Sequence, residues 1–147
     1  MDLARSSTPG WRWLTAACLT VTASVHIAIA PAHLREAPYA GVLFIALAAG
    51  ALATAILLLA TEHRLVWLGA ATLSIAALLG YLLSRSVGLP SLGDDIGDWL
   101  NPLGVVAVAT ETAVVLIAAH TQQAYRIVTD TERLYTVIPA SPIDPAG

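Results

Sequence analysis

Four long apolar runs, each bounded by polar or proline-containing flanks, constrain this chain more than any other feature. Each is close to the roughly 17–25 residues that a membrane-spanning helix needs. In lipid a span must satisfy its own backbone hydrogen bonds, and Leu- and Ala-rich runs of this length are far too long for barrel strands, so helices are the physical choice. The sequence therefore predicts an all-α fold, a four-helix transmembrane bundle, with helices at about residues 14–31, 39–60, 65–84 and 102–121. Composition agrees: of 147 residues, 57% are hydrophobic and 12% charged, against roughly 25% charged in a soluble domain. The lipid bilayer is the expected solvent, and a multi-pass protein of the cell membrane the expected class.

The flanks set the remaining organisation. Residues 1–13 read as a cytoplasmic N-terminal segment, and residues 14–121 as the membrane domain. Residues 122–138 keep apolar positions at helical spacing, through Ala124, Ile127, Val128, Leu134 and Tyr135, and predict an amphipathic cytoplasmic helix. Residues 139–147 carry three prolines and read as a disordered tail. The first run begins after Arg residues and ends in Ala28-Ile29-Ala30, like a secretory signal. Pro31 directly after the cut, the length of the run and His26 within it favour a retained helix. Trp11, Trp13, Trp67 and Trp99 lie near the ends of the runs, where an interfacial aromatic belt is expected. Arg5, Arg12, Arg64, Arg126 and Arg133 fall on one side of the membrane and Arg35 and Arg85 on the other, which places both termini in the cytoplasm.

The short turn at residues 61–64 predicts that the second and third helices form an antiparallel hairpin. Two pairs of small residues four apart, Ala46 with Gly50 and Ala76 with Gly80, suggest a close seam between them. Several function classes are disfavoured. With a net charge of -3 and scattered Arg residues there is no cationic patch for nucleic acid. Cys18 is alone, so neither an internal disulfide nor a thiolate metal knot is available. No phosphate-binding loop or nucleophile with a base at set spacing is present, so the chain does not read as an enzyme. His63 and His120 sit at the inner edge and read as solvated interfacial residues, and residues 93–98 as a solvated acidic loop.

Against this apolar background Glu111, in the middle of the fourth run, demands a partner, because an acidic side chain at mid-bilayer costs roughly 3 kcal/mol and therefore faces an interior or a cavity. His26 lies about 7 Å inside Pro31, and Glu111 about 13 Å inside Pro102, a difference that tilt or long side chains can close. His26 and His33 share a face but stand roughly 10 Å apart along a straight helix, with Pro31 between them as a candidate kink. Glu36 is three residues beyond His33. Arg85 can reach Glu36, an Asp of the following loop, or Glu111.

Three roles compete for this outer cluster. It can fix helix register, as in an accessory or assembly subunit of a larger membrane complex. His26, His33, Glu36 and Glu111 can form an imidazole and carboxylate metal site suited to Zn or Cu(II). Or Glu111, with His26 as relay and Arg85 as ion-pair partner, can carry protons. A transporter of only four helices would need to form a homo-oligomer.

Residues His26 to Gly41, HIAIAPAHLREAPYAG, with Ser84-Arg85-Ser86-Val87-Gly88-Leu89-Pro90 and Glu111, resemble a group of small bacterial four-helix integral membrane proteins. These share an H-x6-H-L-x-E exit from the first helix and an S-R-x-V-G-L-P segment after the third. The resemblance spans about residues 14–120. It implies the topology and singles out His26, His33, Glu36, Arg85 and Glu111, but carries no activity with it.

Overall fold

A computed structural model describes residues 9–61 and 63–137 of the chain. The first eight residues of the N-terminal segment, Glu62, Ile138 at the end of the predicted 122–138 segment and the proline-rich segment 139–147 lie outside the described residues. The fold is all-helical, with four helices long and apolar enough to cross a membrane and no strand among the described residues. They are α1 (Pro9–Glu36), α2 (Pro38–Ala60), α3 (Arg64–Ser86) and α4 (Pro102–Val137). A single 3-10 turn, Gly93–Asp95, interrupts the α3–α4 connection.

The helices form a ring in chain order: α1 packs on α2 and α4, and α3 on α2 and α4, with no close backbone approach across either diagonal among the described residues. One end carries the α1–α2 junction and the long α3–α4 connection and is called here the loop end. The other, with the short α2–α3 connection, is the turn end.

Each inner face follows a three–four spacing. In α4 the buried positions include Ala107, Glu111, Val114, Ala118 and Thr121, with Ile117 beside them, and in α1 they include Thr15, Leu19, Thr22, His26 and Ala30. Positions alternating three and four apart form the stripe that antiparallel bundles bury. Glu111 and His26 are thus inside because of their register. Near the turn end the core consists of Leu19, Leu58, Trp67, Val114, Ile117 and Ala118.

The helix ends obey local rules. Pro38 opens α2 at its first turn, where its missing N–H costs nothing. His63 caps α3, its Nδ1 accepting from Leu65 N at 3.2 Å. Arg12 donates to Leu58 O and Leu59 O at 2.8 and 2.7 Å, satisfying carbonyls at the end of α2. Between α1 and α2 only Ala37 intervenes. The hairpin is so tight that a Cβ on Gly41 would lie 2.7 Å from Leu34 N. Backbone cannot yield as a side-chain tip can, so Gly41→Ala is expected to lower stability by about 2 kcal/mol, read as a lower midpoint in denaturant unfolding from mixed micelles.

Several expectations change. α1 continues through Pro31 to Glu36 instead of ending there; the helical spacing beyond residue 121 belongs to α4 itself, which runs without interruption to Val137. Trp67 is not an interfacial anchor: only 1% exposed, it is the largest fully buried side chain, because it shares the inner stripe of α3 with Ala70 and Ser74. Trp11, Trp13 and Trp99 are exposed. The close seam between α2 and α3 does not form at Ala76 and Gly80. A Cβ on Gly80 would meet nothing within 4 Å, and Gly50 instead packs on Leu73.

Candidate functional site

Where that seam is missing, a cavity of about 340 Å³ opens in the loop-end half of the bundle. Its α3 wall includes Ala76, Ala77 and Gly80, residues too small to fill the ring's centre, with Tyr81, Ser84 and Arg85 nearer the loop end, and its α2 wall includes Leu43, Phe44 and Leu47. Glu111 and His26 line it from α4 and α1. The α3–α4 connection covers the loop end, with Leu89 and Leu92 facing the cavity and Leu92 packed on Ala37 and Ala40.

The structure brings His26 and Glu111 together, His26 Nε2 lying 3.9 Å from Glu111 Oε1, with both residues buried. The depth difference expected from Pro31 disappears because α1 reaches Glu36: His26 is then about 15 Å from its helix end and Glu111 about 13 Å from its own. His26 Nδ1 lies 2.8 Å from Thr22 O. A carbonyl only accepts, so Nδ1 carries a proton and Nε2 of the neutral ring is a lone pair. That lone pair faces a carboxyl oxygen which makes no hydrogen bond of its own. Just inward, the Thr22 and Thr110 hydroxyls bond each other at 2.8 Å.

The other predicted residues do not join this couple. Phe44 of α2 lies between the imidazoles, its ring 5.3 Å from that of His26 and 4.8 Å from that of His33. His33 Nδ1 donates to Ile29 O at 3.0 Å, and Glu36 is exposed. The metal set His26, His33, Glu36 and Glu111 is therefore not assembled. Among the described residues no group of three or more His, Cys, Asp or Glu could hold a metal ion, and an adjacent His and Glu fall short of the three or four protein ligands of a zinc site.

Arg85 turns to the loop, not to Glu36 or Glu111. Its Nη1 lies 2.6 Å from Asp95 Oδ1 and donates also to Asp95 O at 3.1 Å, while the guanidinium stands 5.2 Å from the Tyr81 ring centre. The acidic loop is thus no merely solvated segment: Asp95 ties it to α3. Two hydroxyls hold it further, Tyr39 donating to Pro90 O at 2.7 Å and Tyr81 to Trp99 O at 2.8 Å. Gly88 makes the turn off α3 possible. It sits at φ +78° and donates to Leu83 O at 3.1 Å, a left-handed helix end that a Cβ disfavours by about 1–2 kcal/mol. Gly88→Ala should lower the thermal midpoint accordingly, the more so because its Cβ would meet Ile96 Cδ1 at 2.9 Å.

The sequence does not single out Phe44, Tyr81 or Tyr39, whereas an Asp of the loop was among the expected partners of Arg85, and the structure selects Asp95. Tyr81 was accessible, since it precedes Arg85 by one helical turn and so shares its face. Phe44 is the only phenylalanine in the chain, but nothing in its spacing points to the two histidines. Comparison with protein families, curated proteins and solved structures finds no match for this chain.

Proposed function

We propose that this is a multi-pass protein of the cell membrane, both termini cytoplasmic, whose His26–Glu111 couple takes up and releases a proton through a cavity on the outer side. One observation carries the proposal: two buried acceptors, His26 Nε2 and Glu111 Oε1, face each other at 3.9 Å. Two lone pairs so placed repel, and a proton on either member removes the conflict. The pair then holds one proton, either as neutral acid and imidazole or as carboxylate and imidazolium.

Exchange is one-sided in this arrangement. Toward the turn end, the apolar layer of Leu19, Trp67 and Val114 closes the bundle below the Thr22–Thr110 pair. The couple is accordingly a proton-exchanging site and not a continuous wire. The titratable and charged groups around the same cavity are His33, Tyr39, Tyr81, Arg85 and Asp95, of which Arg85 and Asp95 neutralise each other. The Arg distribution supports the orientation: Arg12, Arg64, Arg126 and Arg133 lie at or beyond the turn end, against Arg35 and Arg85 at the loop end.

Infrared difference spectroscopy of nanodisc-embedded protein across a pH series tests this. A carboxylic acid C=O band that titrates, vanishes in Glu111→Gln and shifts in His26→Gln is the expected result. No titrating band assigned to Glu111, together with poor recovery of a constant co-purifying partner in Glu111→Gln, would overturn it and leave the couple as a packing device of an accessory subunit.

A further inference from the structure

The cavity holds two lining side chains whose buried polar atoms lack a partner. Glu111 Oε1 is an acceptor toward its floor, and Arg85 Nε is a donor near the loop end. Most of the other polar groups around it are engaged, the exception being the Ser84 hydroxyl, which lines the cavity beside Arg85 and makes no hydrogen bond. Tyr39 and Tyr81 hydroxyls donate to loop carbonyls, and His26 and His33 donate through Nδ1 to their own helix. A buried polar atom left unmatched is costly, so these two mark where a ligand's polar ends belong. Arg85 lies one residue from the end of α3 and Glu111 nine residues inside α4, about 12 Å apart in depth. Between them the walls are apolar: Leu43, Phe44, Leu47, Ala77 and Gly80.

Charge decides which end is which. Arg85 is already neutralised by Asp95, so the atom it meets is an uncharged acceptor. Among the described residues Glu111 has no cationic side chain except a protonated His26 within reach, so the donor it meets is best a cation, whose hydrogen bond to a carboxylate in apolar surroundings is the strong kind. We propose that the cavity binds a lipophilic amine, its ammonium N–H on Glu111, its apolar body beside Phe44, and an ether or carbonyl oxygen on Arg85 Nε. The inference rests on the proton-exchange proposal, because the ammonium takes the place of the couple's proton. About 340 Å³ lies at the small end of the roughly 300–1,000 Å³ of small-molecule pockets. Leu43 and Ala76 line the cavity yet are exposed on the outer faces of α2 and α3, which gives an apolar body an entrance from the bilayer.

The probe is 4-methoxyphenethylamine, titrated calorimetrically into nanodisc-embedded protein in weak buffer with proton release followed by a dye. The controls are phenethylamine, which lacks the acceptor, and 4-propylanisole, which lacks the amine. Saturable binding with about one proton released per amine is expected, weakening as pH falls because protons compete. Affinity should fall about tenfold or more in Glu111→Gln, where a charge-assisted bond is lost, and severalfold for phenethylamine. Binding of 4-propylanisole should be the same in both proteins. Should Glu111→Gln fail to fold, Gly80→Leu decides: it projects into open space and fills the cavity, so the fold should stand and amine binding should disappear. Amine binding unchanged in Gly80→Leu, or no tighter than that of 4-propylanisole, overturns the proposal. If the Glu111 carboxyl band titrates but no amine binds, only the ligand assignment fails; if the band is also missing, the proton proposal fails with it.

Discussion

Trp67→Ala is expected to destabilise the bundle by about 3–4 kcal/mol, at the lower part of the range for removing a large buried aromatic. The side chain is 1% exposed and packs in the turn-end core with Leu19, Leu58, Val114, Ile117 and Ala118. Lipid chains are as apolar as the side chains they would replace, so the loss is mostly of close packing and not of transfer from water. Truncation leaves a void at the level where all four helices contribute to the core, and the surrounding side chains relax into such a void only in part. Trp13 gives the contrast. It is 66% exposed, and Trp13→Ala should change the unfolding free energy by less than about 0.5 kcal/mol. Equal effects of the two substitutions in reversible SDS unfolding would show that tryptophan acts here through the interface and not the core.

Arg85→Ala is expected to cost about 3 kcal/mol, because it leaves Asp95 without its charge partner under the loop. The guanidinium side chain is 10% exposed and the Asp95 carboxylate 28%, so screening is incomplete and loss of one partner is felt. The contact also fixes the connection in space. Gly97 N donates to Arg85 O at 2.9 Å, so residue 85 holds the loop through both side chain and backbone. The double variant Arg85→Ala/Asp95→Ala should recover a good part of the loss, since no orphan charge remains. A double-mutant cycle on thermal unfolding measures the coupling, and a coupling near zero would assign the effect to the packing of Arg85 on Tyr81 instead.

Much of this was legible in the chain. The four helices follow from run length and from the rule that lipid tolerates no unsatisfied backbone. Glu111 announces itself by being the one acid within an apolar run, and His26 by its comparable depth. What escaped is what depends on rotation about a helix axis. Trp67 looked interfacial because its position in the chain is near a helix start, whereas its place on the stripe with Ala70 and Ser74 turns it inward. Arg85 had Glu36, Glu111 and the aspartates of the following loop within reach, and only the fold of the loop over Leu92 selects Asp95. The cavity escaped as well: small residues on α3 permit either close approach or empty space, and the sequence does not distinguish them.

The two loop-end connections are held in different ways, the α1–α2 hairpin by backbone contact and the α3–α4 connection through the side chains of Tyr39, Tyr81 and Arg85. With Ala37 alone between α1 and α2 and Gly41 against the backbone of Leu34, that hairpin has no slack to change its internal spacing. Any change in cavity width is therefore a displacement of α3 and α4 against a fixed frame that carries His26 and Phe44. Such a displacement alters the His26–Glu111 distance directly, since one member rides on each pair of helices. Spin labels across α2 and α3 would report it, while a pair within α1–α2 would serve as the stationary ruler.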